Sequence, residues 1–262
     1  MAAPWTQDFD FYLSMIDDKR ASIVVDLAAV GQEPLDSHPL LLALRVPMKH
    51  PRDDGLRDGS EREALGEIED RFTTRLEQNV DAIYVGRIMV DGSITLYYYV
   101  PVAARSPIER ALVEVIGDSN GYVVKWALEE DPAWEHLAVG LAPDPYARQE
   151  IWNRRLLHEF AQRGDALLAV REVDHVAAFP TLEAAVRAIE ELEALGYRVD
   201  APHPPEDGGH RLEFHRDEVL ADGRPDEFVT EILDVILPLE GDYEGWGAVV
   251  TVNPGGGPPA EA

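Results

Sequence analysis

Alternating apolar and polar positions near the start of the chain predict three β-strands. They cover residues 9–17, 21–29 and 40–50, and each is rich in β-branched, aromatic or leucine residues. Turn-forming residues, including a proline-containing stretch over 34–39, separate them. The chain is therefore predicted to open with a hairpin and a third strand.

After these strands, the spacing of apolar residues changes to that of a helix. Ser60 followed by Glu63 forms a capping box, and apolar residues recur behind it three and four positions apart. The predicted buried stripe consists of Leu65, Ile68, Phe72 and Leu76.

A hairpin, a second helix and a strand follow. The dipeptide Asp91-Gly92 is a strong hairpin signal and joins predicted strands over 82–90 and 93–100. A second capping box, at Ser106, starts the next helix. The residues predicted to face inward are Ile108, Leu112, Val115 and Ile116. A strand over 122–128 ends this unit, and an acidic, proline-containing linker is predicted over 129–145.

The second half opens with a predicted helix over 146–162 that buries Trp152, Leu156 and Phe160 and stops at Gly164. Thr181 is predicted to cap the next helix, whose inward residues are Leu182, Val186, Ile189 and Leu192. A further helix over 225–237 carries Val229, Ile232, Leu233 and Ile236. The predicted strands of this half cover 170–179, 197–200, 211–216 and 246–252.

Both halves thus show the order β-α-β-β-α-β. We predict an α+β protein of two domains, each a ferredoxin-like sandwich with an antiparallel sheet and helices on one face, the first with an extra N-terminal β-hairpin. The predicted domains are residues 1–142 and 146–253. Residues 254–262 are low in complexity and predict a disordered tail.

Charge narrows the range of partners. The formal net charge is −27, shared almost equally by the two halves. Nucleic acid and anionic membranes are poor partners for such a chain, because binding to phosphates depends on Lys and Arg. A basic protein partner would be attracted instead. The chain has no cysteine, and neither a secretory leader nor a membrane span is evident, so we expect a cytoplasmic protein.

Catalytic and metal-binding motifs are incomplete. His158-Glu159 begins a zinc-protease motif, but Gln162 replaces its second histidine. His210 and His215 are five apart on a predicted strand and so face opposite ways. We found neither a nucleophile elbow nor a glycine-rich phosphate loop. The sequence therefore predicts a protein without enzymatic activity, metal or cofactor.

Three consecutive tyrosines are the remaining candidate for chemistry. Tyr97 and Tyr99 share one face of a predicted strand and Tyr98 the other. Aromatic residues on an open sheet stack RNA bases in some domains. The negative charge opposes that use, so we favour core packing plus an exposed tyrosine edge suited to a protein interface.

The second half resembles the family of regulator of ribonuclease E activity B over about residues 148–252. Four segments carry the resemblance: 153–165, 171–175, 195–199 and the stretch Asp-Tyr-Glu-Gly-Trp-Gly at 242–247. The family's histidine pair is reduced here to His175, and its long acidic tail is absent. The resemblance implies a ferredoxin-like acidic protein that binds the endoribonuclease and restrains it.

The first half resembles a bacterial family known only as domain of unknown function 695, over about residues 5–140. The segments that carry this resemblance are 17–27, 45–52 and 84–87. It implies no activity.

Three functions fit these observations. The first is an acidic, non-catalytic regulator that binds a basic region of a ribonuclease E-like endoribonuclease. The second is an immunity-type protein that neutralises a basic nuclease toxin, and the third is a hydrolase with a site between the domains. The residues predicted to form the partner-binding surface are Asp174, His175, Asp242, Tyr243, Glu244 and Trp246. Tyr243 and Trp246 are equally suited to pack the last strand, with Gly245 and Gly247 allowing a bulge.

Overall fold

A computed structural model of the protein describes residues 3–117, 121–202 and 209–252. The chain divides into two compact units, Met1–Pro143 and Asp144–Ala262. Each contains one antiparallel sheet with helices, as the α+β prediction requires. The predicted tail over 254–262 and most of the loop over 201–209 lie outside the described residues, as do the side chains of Val115 and Ile116.

The described residues of the first unit form six strands and three α-helices. The strands are β1 (Phe9–Ile16), β2 (Lys19–Asp26), β3 (Leu40–Pro47), β4 (Ile83–Val90), β5 (Ser93–Val100) and β6 (Lys125–Glu130). The helices are α1 (Leu27–Val30), α2 (Arg62–Val80) and α3 (Arg105–Gly117). Short 3-10 turns at Gly59–Glu61 and Val102–Ala104 and a π-helical segment at His136–Leu141 complete the unit.

The strands form one sheet in the order β1-β2-β4-β5-β3-β6, with every neighbouring pair antiparallel. From β3 onward the chain runs β-α-β-β-α-β. The hairpin of β1 and β2 extends this arrangement next to β4. As a result, β1 and β6 are the two edge strands.

Helices α2 and α3 pack against one face of the sheet. All four residues of the stripe predicted for α2 are buried, which confirms the prediction from periodicity. Ile108 and Leu112 of α3 join the same core, and so does Tyr98 of β5. The opposite face is covered in part by the segment after β6, where Trp134 stacks on Tyr99 at 4.2 Å. The tyrosine run therefore packs between layers and does not form an open stacking surface.

Two capping aspartates place the end of β2 and the start of the turn before α2 at positions that differ from the predicted ones. The buried carboxylate of Asp26 accepts a hydrogen bond from the Ala28 amide (3.1 Å), so the chain turns into α1 and the strand predicted to reach residue 29 ends at residue 26. Asp58, and not Ser60, caps the turn before α2, because its side chain accepts from the Ser60 amide at 2.9 Å. In both places a side-chain oxygen competes with the backbone for a nearby amide.

Four strands and three α-helices make up the described part of the second unit. The strands are β7 (Arg171–Phe179), β8 (Arg198–Val199), β9 (His210–Glu218) and β10 (Asp242–Ala248). The helices are α4 (Pro145–Gln162), α5 (Leu182–Ala194) and α6 (Arg224–Ile236), and a 3-10 turn at Leu237–Leu239 follows α6. The antiparallel sheet has the order β10-β7-β9-β8, and the chain from β7 onward again runs β-α-β-β-α-β.

Two helices of this unit present different faces from those predicted. The inward residues of α6 are all buried as expected. In α5 the buried residues are Ala185, Ala188 and Leu192, whereas Leu182 and Val186 are exposed. The apolar arc of α5 is wider than the part of the helix that contacts the sheet, and the small alanine side chains form that contact. In α4 the predicted core residue Trp152 is exposed.

Candidate partner-binding groove

An open groove of about 740 Å³ lies in the second unit, bordered by α4, the end of α6 and β10. Four of the six residues predicted to bind a partner line it, and all four belong to β10. They are Asp242, Tyr243, Glu244 and Trp246. The structure thus brings these four predicted residues together.

One side of the groove is a stripe along α4. Its members are spaced i, i+4, i+7 and i+11, which places them on one helix face. They are Arg148, Trp152, Arg155 and Glu159. Trp152 is 48% exposed, and the guanidinium of Arg155 lies 5.3 Å from the centre of its ring. Sequence reasoning missed this stripe, although charged residues at helical spacing on both sides of Trp152 indicate that this residue lies on an exposed face.

The other side of the groove depends on a β-bulge in β10. The register with β7 shifts between Tyr243 and Gly245, and Gly245 has φ of 120°, a conformation that favours glycine. Because of this extra residue, Tyr243 and Trp246 both point towards the helices although they are three positions apart. Glu244 forms an ion pair with Arg211 of β9 at 2.9 Å. The predicted bulge is therefore present.

Trp246 is both a packing residue and a wall of the groove. Its indole N–H donates to Oδ1 of Asn153 at 2.6 Å, and its ring meets Phe160 and Phe228 edge to face. Asn153 in turn donates to Asp226 at 2.8 Å. These contacts fix the half-buried ring against α4 and α6, so that one side of it remains at the groove.

His175 lies inside the core and cannot contact a partner there. It is fully buried, and its Nδ1 is 2.8 Å from the hydroxyl of Tyr243. Phe214 stacks on the imidazole, and Tyr197 and Phe228 meet it edge to face. Burial, with smaller contributions from Arg216 and His215, lowers the pKa of His175 to about 3. Placing His175 on an interaction surface is therefore wrong, because strand alternation turns it towards the helices.

This lowered pKa predicts a pH-dependent stability. Because the unfolded chain takes up a proton on His175 near its ordinary pKa of 6.5 and the folded chain does not, stability should fall as the pH decreases from about 6.5 towards 3. Thermal unfolding across this range measures the slope. His175→Phe should flatten it, whereas replacing the exposed His158 by Gln should leave it unchanged. An equal slope in all three proteins would contradict the assignment.

Asp174 lies apart from the groove, on the face of the sheet that the helices leave open. It pairs in register with His215 of β9. The exposed acidic side chains of the central strands β7 and β9 share this face. They are Glu172, Asp174, Glu213 and Asp217. Arg198 of β8 reaches Glu172 at 2.8 Å and Asp217 at 3.6 Å, but the acidic residues outnumber the basic ones here.

The other candidate residues do not form a site. Gln162 bonds to His158 at 2.8 Å on the exposed side of α4. His210 and His215 pair with residues on opposite faces of β7, as predicted. Within the described residues, no group of three His, Asp or Glu side chains is placed to hold a metal ion. None of the described helices has the length and apolarity needed to span a membrane.

Comparison with family models identifies both halves. Residues 7–138 match the model described as a family of unknown function, DUF695. Residues 150–248 match the model described as regulator of ribonuclease activity B. Both resemblances seen in the sequence are thereby confirmed. A search of curated proteins returned no match.

Solved structures add little to this result. A crystal structure of an unknown protein from Galdieria sulphuraria shares 13% identity, with 81% of this chain and 99% of that chain covered and a TM-score of 0.23. A putative glycine cleavage system transcriptional repressor shares 8% identity, with 81% and 98% covered and the same TM-score of 0.23. Such low TM-scores carry no argument about fold or function. Since the match over residues 7–138 spans just over half of the sequence, the chain belongs to the DUF695 family of unknown function, with a second half that matches regulator of ribonuclease activity B.

Proposed function

We propose that this protein is a non-catalytic regulator whose second unit binds a basic segment of a ribonuclease E-like endoribonuclease. The observation that carries the proposal is the match of residues 150–248 to the regulator of ribonuclease activity B. A regulator of a cytoplasmic ribonuclease would itself act in the cytoplasm. The negative charge of the chain suits a basic partner.

The fold supports the same assignment. We infer that each unit is ferredoxin-like, with the hairpin of β1 and β2 added to the first. Support comes from the β-α-β-β-α-β order in both units and from the matching strand orders, β6-β3-β5-β4 within the first sheet and β10-β7-β9-β8 in the second, in which the first and third strands of each repeat are adjacent. The face of the second sheet opposite the helices can then carry charged side chains.

The groove is the proposed contact with the partner. Trp152 and Trp246 offer aromatic faces, on which cationic side chains bind favourably, and Asp242 and Glu159 offer carboxylates at its borders. Exposed aromatic residues of this kind supply a large share of binding energy at protein interfaces. The acidic face around Asp174 adds long-range attraction, which acts mainly on the association rate.

Calorimetry of the full-length chain with the basic scaffold region of a ribonuclease E-like enzyme tests this proposal. We expect binding that weakens strongly between low and high salt, since screening reduces attraction between exposed charges. Trp152→Ala should weaken binding about 30-fold, because this factor corresponds to a ΔΔG of about 2 kcal/mol, the lower bound for a binding hot spot. Its exposure means that folding stability should not change.

The matched control is Val186→Ala, which shortens an exposed apolar residue on α5 of the same unit and should bind as the wild type does. RNA cleavage by the endoribonuclease, measured with and without the chain, gives the functional readout. No binding at low salt, or equal binding by Trp152→Ala and Val186→Ala, would count against the groove. Binding to a basic nuclease toxin in place of the endoribonuclease would favour the immunity-type function.

A further inference from the structure

Two arginines at the start of α2 have no acidic partner in a chain with 50 acidic and 23 basic residues. Arg57 lies in the loop before the helix and is half-buried, and Arg62 is the first residue of the helix. In the part of the chain that the structure describes, neither guanidinium forms an ion pair or a hydrogen bond. Acidic residues are abundant, so their absence at this place is a local feature of the fold.

A third arginine, Arg87 of β4, lies beside these two on the helix side of the sheet. Its register partner in β5 is Leu96, a residue of the core beneath the helices. The backbone amide of Arg57 contacts Sδ of Met89 at 3.3 Å, and Met89 lies two positions after Arg87, on the same face of the strand. Burial, with smaller contributions from Arg87 and Arg62, lowers the pKa of Arg57. The three guanidiniums therefore form an arginine cluster.

One carboxylate, that of Glu69 in α2, contacts the arginine cluster. Its Oε2 pairs with Arg87, and its Oε1 accepts from the hydroxyl of Tyr84 at 2.6 Å. Glu69 thus holds Arg87 in place. The nearby Asp58 is turned to Ser60, whose amide and hydroxyl both donate to its Oδ1. Three guanidiniums against one carboxylate leave two positive charges of the cluster without compensation.

Gly66 leaves a notch in the helix surface between two of these charged residues. It lies four positions after Arg62 and three before Glu69, a spacing that places all three on one face of α2. A Cβ at Gly66 would have nothing within 4 Å. Glycine lowers the stability of a helix interior relative to alanine, so stability of the helix does not account for its presence. What it provides is open space among the charged groups.

We propose that this notch binds the phosphate group of a small phosphorylated ligand, with Arg57, Arg62 and Arg87 as its cationic partners. A planar guanidinium binds phosphate through two parallel hydrogen bonds. A phosphate monoester carries close to two negative charges at neutral pH, which matches the uncompensated charge of the cluster, whereas a carboxylate would neutralise only half of it. Glu69 acts as a positioning residue for Arg87.

The charge of the whole chain favours a small ligand over a polyanion. Binding of nucleic acid depends on contacts with several phosphates, and a net charge of −27 repels the phosphates that lie outside the cluster. Beyond Arg87 and Met89 the sheet continues with Val24 and Ser22 of β2, their register partners, which are half-buried and uncharged. We expect the rest of the ligand to lie against these two residues.

Calorimetric titration of the full-length chain with inorganic phosphate, sulfate, acetate and adenosine monophosphate provides the test. The two dianions and the nucleotide should bind saturably, and acetate should not bind at the same concentration. Arg57→Gln and Arg62→Gln should each weaken phosphate binding about 10-fold, because each removes a hydrogen bond to a charged group. The matched control is Arg75→Gln, which removes the same charge from an exposed position further along α2 and should bind as the wild type does.

Gly66→Leu tests the position of the site, because its side chain would fill the notch. It should abolish phosphate binding, while thermal unfolding without ligand stays at or above the wild-type temperature. A wild type that binds none of phosphate, sulfate and the nucleotide would overturn the proposal. Unchanged binding by a folded Gly66→Leu protein, or equal weakening by Arg62→Gln and Arg75→Gln, would overturn it as well. Tighter binding of a short single-stranded RNA than of the nucleotide would replace the small ligand by nucleic acid.

Discussion

Replacing Asp165 by alanine is expected to destabilise the second unit by about 3–5 kcal/mol, the range for a buried ion pair that loses one partner. Asp165 and Arg171 are both buried, and Nη2 of Arg171 donates to Oδ1 of Asp165 at 2.9 Å. The same carboxylate accepts from the amides of Leu167 (2.8 Å) and Thr251 (2.7 Å). The substitution would leave two amides without their acceptor and a buried guanidinium without its carboxylate, with only the carbonyls of Ala169 and Val249 to accept from it.

Chemical unfolding of the full chain, combined with hydrogen exchange of the β7 and β10 amides, measures this loss. The control is Arg163→Ala, which removes an exposed pair with Glu159 (3.5 Å) and should cost less than about 1 kcal/mol. Similar losses in the two variants would contradict the role assigned to the buried pair.

Acid should remove part of this stabilisation gradually. The hydrogen bond from Arg171, with the Thr251 and Leu167 amides, holds the pKa of Asp165 at about 2, against an ordinary value of 3.8. A lowered pKa in the folded state contributes stability above the unfolded value that disappears as the pH falls towards the folded one. The decrease in stability that this carboxylate causes between about pH 4 and pH 2 should therefore be absent in Asp165→Ala.

Gly86→Ala is expected to have the second large effect, on the first unit. Gly86 lies at the bulge between β4 and β5 with φ of 147°. A Cβ there would overlap the carbonyl oxygen of Val24 and lie 3.1 Å from the Val25 Cα. Since both are backbone atoms of the neighbouring strand β2, only a shift of that strand could relieve the contact. We expect a loss of several kcal/mol, as is usual when a special backbone conformation is lost together with packing.

The matched control is Gly66→Ala on α2. Nothing lies within 4 Å of a Cβ at that position, and alanine stabilises a helix interior by roughly 0.5–1 kcal/mol relative to glycine. Thermal unfolding of the two variants should therefore move in opposite directions. A Gly86→Ala protein that is as stable as the wild type would show that β2 approaches β4 less tightly than the structure has it.

Local patterns alone determined much of this protein. The stripe on α2 and the inward residues of α6 follow from helical spacing, because burial of one face is the main force that holds such helices. The turn at Asp91-Gly92 follows from backbone geometry that few residues accept. The bulge in β10 was visible in its glycines, and the two family resemblances in short runs of residues.

Tertiary packing decided the rest. Periodicity defines an apolar arc but not which part of it the sheet contacts, so Trp152 and Val186 were assigned to the core although both are exposed. Alternation placed Asp174 and His175 on opposite faces, yet only the position of the helices determined that His175 is the buried one. The groove joins residues of α4 and β10 that are about ninety positions apart. The exposure of the apolar side chains on β1 could be recognised only once the sheet order made β1 an edge strand.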